Sequence, residues 1–141
     1  MRHVAQVPVR WEDLDALNHV NNVALVQLLE EARVSLLVAL GWNGDIHSLG
    51  FYVVRHEIDY IAPITYRTEP LVVELGIDHI GTSSWTVFYD VLDHEGQPLA
   101  HARSVLVTID MQTGRPMPIT EEMLEHLNRY YEPLDLPRAN D

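Results

Sequence analysis

The sequence predicts an α+β fold: a five-stranded antiparallel sheet wrapped around one long central helix, with a short C-terminal helix added. Three observations predict it. One run, from Asn22 to Leu40, is apolar around most of a helical circumference. Five other segments carry strand patterns, four of them after that run. The links among these four are short and rich in turn residues, which favours antiparallel pairing of neighbours. A helix so apolar must be covered, and the sheet is what the chain has to cover it.

The elements follow in order. His3 to Trp11 places Ala5, Val7, Val9 and Trp11 on one side, and Pro8 points to an edge position or an irregularity because it donates no ladder bond. An acid- and amide-rich loop ends at Asn22. Asn21 or Asn22 serves as the N-cap of the helix, and Gly41 suits its C-terminal stop. Leu25, Leu28, Leu29, Ala32 and Leu36 share one face, whereas Gln27, Glu31 and Ser35 form a narrow polar stripe. Glu30 and Arg33 stand at i,i+3 spacing, where opposite charges meet. Charges at the centre of the run argue against a membrane span.

Trp42 to Gly50 has no clear period and is read as a turn rather than a flap. Phe51 to Tyr60 alternates, with Tyr52, Val54, Ile58 and Tyr60 on one face and Arg55, Glu57 and Asp59 on the other. His56 falls on the apolar side and reads as a satisfied core histidine. Leu71 to Ile80, Trp85 to Asp93 and Ala100 to Asp110 are the remaining strands, separated by Gly81-Thr82-Ser83-Ser84 and His94-Glu95-Gly96-Gln97. Ile119 to Tyr130 forms the short helix, and Pro133 to Asp141 reads as a loose tail. The expectation is one domain over 1–141, with a core of about 3–111 and the C-terminal helix and tail over 112–141.

Composition narrows the function. The 141 residues include no cysteine, which removes thiolate nucleophiles and cysteine-ligated metals. The formal net charge is −12, with all nine basic residues arginine, so nucleic acid and anionic membrane are disfavoured partners. An anionic ligand would need a local arginine cluster. The first residues lack the apolar core of a signal peptide, and the expected location is cytoplasmic. There is no phosphate-binding glycine loop and no nucleophile elbow, and no metal or cofactor is expected.

The chemistry concentrates between Asp13 and Asn22. Singly, Asp13, Asp15, Asn18 and Asn21 suit turns and caps. Jointly, with His19, they bring a carboxylate to the positive end of a helix dipole. A carboxylate there can act as base or nucleophile while open N–H groups polarise a carbonyl oxygen, which suits acyl transfer to water.

The segment Trp11-Glu12-Asp13-Leu14-Asp15-Ala16-Leu17-Asn18-His19-Val20-Asn21-Asn22, followed by Glu30-Glu31-Ala32-Arg33, resembles the signature of hot-dog-fold thioesterases. The nearest branch is that of the 4-hydroxybenzoyl-CoA thioesterase-like, acyl-CoA-hydrolysing enzymes, with acyl-ACP thioesterases as relatives. The resemblance implies that Asp15 is the catalytic carboxylate, that the helix-start amide polarising the carbonyl falls at Asn22, and that His19 takes part. It implies a substrate-binding set of Asn21, Val23, Arg67 and Arg103. Arg55 and Arg115 are further candidates for the CoA phosphates. Three positions depart from the family pattern: Leu17 replaces an asparagine of the acyl-ACP relatives, Asn18 stands where glycine is common, and Asn22 stands where others carry histidine. The implied assembly is a homodimer or dimer of dimers. The implied activity is acyl-CoA hydrolysis; an acyl-ACP thioesterase and a non-hydrolytic acyl-thioester-binding protein are the alternatives.

Overall fold

A computed structural model describes residues 1–42 and 50–134. The elements are β1 (His3–Val7), a 3-10 turn (Trp11–Asp13), α1 (Asn22–Ala39), β2 (Phe51–Tyr60), β3 (Leu71–Ile80), β4 (Ser84–Leu92), β5 (Pro98–Thr108) and α2 (Glu121–Asn128). The turn expected across Trp42 to Gly50 and most of the expected tail lie outside the described residues.

The five strands form one antiparallel sheet in the order β1-β3-β4-β5-β2. Two hairpins, β3-β4 and β4-β5, pair consecutive strands as expected. The link from β2 to β3 does not: β2 pairs with β5 at one edge, and β3 sits beside β1 near the other. Residues 61–70 therefore carry the chain across the sheet. This crossing is what brings the loop after β2 to the start of α1, where the Val20 N–H donates to the Ile64 carbonyl at 2.7 Å.

Helix α1 is held at both ends as its sequence requires. The Asn21 side chain accepts from the Val23 N–H at 2.8 Å, and Gly41 takes φ +103°, a conformation costly for any residue with a Cβ. Leu25, Leu28, Leu29, Ala32 and Leu36 are all buried against the sheet, in one core with Leu75, Val87 and Leu106. The opposite face is more open than expected. Val23, Val34 and Val38 are exposed alongside Gln27, Glu30 and Glu31.

Strand β1 ends at Val7, and Trp11 belongs to the 3-10 turn rather than the strand. Strand β2 departs from its simple alternation. Val54 is an extra residue between Val53, which faces Leu106, and Arg55, which faces Val105. The bulge switches sides, so Ile58 shares a face with Val53 and His56, not with Tyr52. A second bulge shifts the β3-β4 register between Ile77 and His79, at Asp78.

A polar thread runs through the helix-facing side of the sheet. Arg33, 4% exposed, donates to Tyr89 Oη at 3.0 Å; Tyr89 donates to Ser104 Oγ at 2.8 Å; and His56 Nδ1 lies 2.7 Å from the same hydroxyl. The expected pair of Arg33 with Glu30 is present but longer, at 3.6 Å. The outer side is held by ion pairs. Arg2 reaches Asp90 and Glu132 at 2.7 Å each, and Arg103 Nε lies 3.0 Å from Asp78 Oδ2.

Candidate active site

The loop before α1 is fixed by backbone geometry. Leu14 and Val20 form an antiparallel bridge, closed by Asp15 N–H to the His19 carbonyl at 3.0 Å and Asn18 N–H to the Asp15 carbonyl at 3.0 Å. The tight return needs a residue at positive φ, and Asn18 supplies it at +60°. Asparagine tolerates this conformation better than most side chains, which explains its presence where glycine would serve.

The two acids of the segment differ in environment. Asp13 is 2% exposed and saturated: its Oδ2 accepts from the Arg10 backbone N–H at 2.8 Å, and its Oδ1 pairs with the Arg10 guanidinium at 2.9 Å. It ties down the 3-10 turn. Asp15 is half-buried, and among the described residues its one side-chain hydrogen bond is from the Leu17 N–H to Oδ1, at 2.9 Å.

Asp15 also lines two cavities. One, of about 340 Å³, is walled by His19, Val20, Leu25, Tyr60, Ile61 and Ile64, with Ala62 and Pro63. The other, of about 430 Å³, is polar and includes Asn21, Val23, Ala24 and Gln27 from the first turns of α1. A further cavity, about 570 Å³, runs between β1 and the open side of α1 and does not include Asp15.

At the start of α1 the N-cap determines which amides are engaged. The Val23 N–H is taken by Asn21 Oδ1, and the Leu25 N–H by the Asn21 carbonyl. The Asn22 N–H stands at the first helical position, one of the groups a helix start leaves without an intrahelical partner. Of the residues expected to bind substrate, Asn21 thus caps the helix, and Val23 offers an exposed side chain rather than its N–H. His19 shares the apolar cavity with Asp15, joined to it by backbone and not by a side-chain hydrogen bond.

The arginines divide sharply. Arg103, expected to meet substrate, is 6% exposed and faces the buried carboxylate of Asp78. Arg55 is engaged by Glu57 at 2.8 Å. Arg67 lies on the 61–70 link, its Nε donating to the Thr65 carbonyl at 3.1 Å. Two features escaped the sequence reading. The exposed rings of Trp11 and Tyr66 stand edge to face, 5.5 Å apart, and the link 61–70 walls the apolar cavity. Only the strand order brings these segments together.

Known proteins similar to this chain include thioesterases. The profile of the thioesterase-like superfamily matches residues 9–127. The 1,4-dihydroxy-2-naphthoyl-CoA hydrolase of Synechococcus elongatus is 31% identical over 124 residues, covering 84% of this chain and 90% of that one. The long-chain acyl-CoA thioesterase FadM of Escherichia coli is 28% identical, covering 88% and 96%. A thioesterase of Thermus thermophilus, solved with coenzyme A and zinc, superposes with a TM-score of 0.77 at 31% identity, covering 90% of this chain and 92% of that one.

Proposed function

This chain belongs to the thioesterase-like superfamily of thioester hydrolases, and on that premise we propose that it hydrolyses an acyl-CoA to the free acid and CoA at Asp15. The observation that carries the proposal is the position of Asp15 in the wall shared by an apolar cavity and a polar one. A thioester has the same division. Its acyl group suits the cavity of Val20, Leu25, Ile61 and Ile64, and its pantetheine amides suit the polar side.

The reacting carbonyl then lies between Asp15 and the start of α1. Asp15 removes a proton from water as the water oxygen attacks, or attacks the carbonyl itself. The oxyanion forms against the Asn22 N–H and the positive end of the helix dipole. Collapse of the tetrahedral intermediate expels the CoA thiolate; in the general-base route the thiolate takes up the proton held by Asp15, and in the nucleophilic route water then hydrolyses the acyl–Asp15 anhydride to the free acid. His19 positions the loop or the water from the apolar side.

The proposal includes a homodimer or a dimer of dimers. Among the described residues β2 pairs with β5 alone, leaving its other backbone edge open, and Tyr52, Val54 and Tyr60 are exposed along it. The acyl cavity lies at the Tyr60 end of that strand, so a second copy on the edge would help close it.

The test is a hydrolysis screen over acyl-CoAs of aliphatic and aromatic acids, repeated with acyl-ACPs, using wild type and Asp15→Asn. Turnover of at least one acyl-CoA that is lost in the variant supports the reading. Wild-type turnover retained by Asp15→Asn would refute the assignment of Asp15.

A further inference from the structure

We propose that Trp11, Tyr66 and Arg67 form a docking platform for the nucleotide of CoA; the proposal rests on the acyl-CoA reading and specifies which carrier the site takes. Trp11 is 74% exposed and Tyr66 45% exposed. Their ring centroids lie 5.5 Å apart with an interplanar angle of 77°. Two rings at nearly a right angle make an open corner in which a planar base can stack on one and meet the edge of the other. Base stacking on exposed aromatic rings is how proteins hold nucleotide bases without reading them.

The phosphates need a cation in a strongly acidic chain, and only certain arginines can supply it. Of the four strand and loop arginines considered above, Arg55 and Arg103 already face carboxylates. Among the described residues, Arg67 and Arg115 have no carboxylate within 4.0 Å. Arg115 follows β5 at the end where Thr108 pairs with Phe51, the full length of β2 from Tyr60 and the acyl cavity. Arg67 is three residues from Ile64, a span of at most about 11 Å, and Ile64 walls that cavity. Its guanidinium is steered by Thr65, whose carbonyl and hydroxyl it contacts at 3.1 and 3.4 Å. An arginine held this way is preorganised for a phosphate.

Trp11 and Tyr66 meet although they stand 55 residues apart in sequence, and Arg67 directly follows Tyr66. The Val20–Ile64 backbone bond brings the two loops together on one side of the reacting site. An acyl carrier protein presents pantetheine without a nucleotide, so a platform of this kind selects CoA.

The test reads binding and catalysis separately. Tryptophan fluorescence is followed while the protein is titrated with adenosine 3′,5′-bisphosphate, phosphopantetheine and CoA, with Trp11→Ala as the control for the other two tryptophans. The bisphosphate and CoA should quench and phosphopantetheine should not. Trp11→Ala, Tyr66→Ala and Arg67→Ala should each weaken bisphosphate binding, measured by calorimetry, by about tenfold. The ratio of kcat/KM for an acyl-CoA to that for the matching acyl-N-acetylcysteamine should fall by a similar factor, through KM. The proposal is overturned if the bisphosphate does not bind, if ATP binds more tightly than the bisphosphate, or if both thioesters lose equally. It is also overturned if Trp11 is shielded from acrylamide in the free protein, which would put the ring between copies of the chain. Bisphosphate binding without hydrolysis of any acyl-CoA would keep the platform and refute the proposed reaction instead.

Discussion

The Trp11–Asp13 turn and the Asp15–His19 loop are adjacent, equally polar and built around one aspartate each, yet their carboxylates have opposite environments. Asp13 is buried and spends both oxygens on Arg10. Asp15 is half-buried, spends one oxygen on its own loop and borders two cavities. The difference teaches that burial and ion pairing mark the acid that builds the site. The acid with reserve capacity and an open approach is the one that can do chemistry.

The contrast is most easily broken at Asp15. Asp15→Asn keeps the shape and the bond to Leu17 but removes the base, so kcat should fall by about 10²–10⁴-fold with urea unfolding unchanged. Steady-state kinetics on a well-turned-over acyl-CoA check this, and normal turnover would erase the distinction between the two acids. His19→Ala should lower kcat less, because the ring touches the cavity without bonding to Asp15. A larger loss there than at Asp15 would shift the chemistry onto the histidine. Asp13→Asn should show the reverse pattern: kcat nearly intact and stability reduced by about 1–2 kcal/mol through loss of charge-assisted bonds, read from urea midpoints. Asn21→Ala should cost about 1 kcal/mol as a lost cap, with a modest loss of kcat if the Asn22 N–H is displaced.

The smallest effect separates the fold from the site by pH. Burial, and then the charge of Arg33, lower the pKa of His56 below its ordinary value; burial alone lowers that of His3. Folding therefore favours their neutral forms. That stability is fully present above the ordinary histidine value, about 6.5, and is lost as pH falls through the depressed folded values. The melting temperature should decline below about pH 6.5, and His56→Gln should flatten part of the slope. An unchanged slope in that variant would remove His56 from the account.

Some of this was legible in the sequence, and the reasons are physical. Local signals survived intact: the 3.6-residue period of α1, its asparagine cap, placed at Asn21 or Asn22 and found at Asn21, and its Gly41 stop all depend on near neighbours. The hairpins from β3 to β5 followed from turn residues. Non-local facts were hidden. The strand order is set by packing, and the Val54 bulge inverts a pattern that otherwise reads as unbroken alternation. Arg103 was expected to meet substrate, and only the fold places it beside Asp78. Arg33 looked like half of a helix-surface pair, whereas its closer partner is Tyr89, 56 positions away. The candidate site stood out as a motif over Asp13 to Asn22, but the cavities beside it, the aromatic corner and the different surroundings of Asp13 and Asp15 required the folded chain.

The thread from Arg33 to His56 has a direction. A guanidinium has hydrogens to give and no lone pair to receive one, so the Tyr89 oxygen must accept from Arg33 and pass its own hydrogen to Ser104. The Ser104 hydroxyl, having accepted from Tyr89, has its own hydrogen to give and a second lone pair to receive, and His56 Nδ1 lies 2.7 Å away. If Ser104 gives, the neutral His56 ring carries its proton on Nε2; if Ser104 receives, on Nδ1. Because β2 is an edge strand of the sheet, this relay couples a cation on α1 to a ring where a neighbouring molecule can approach.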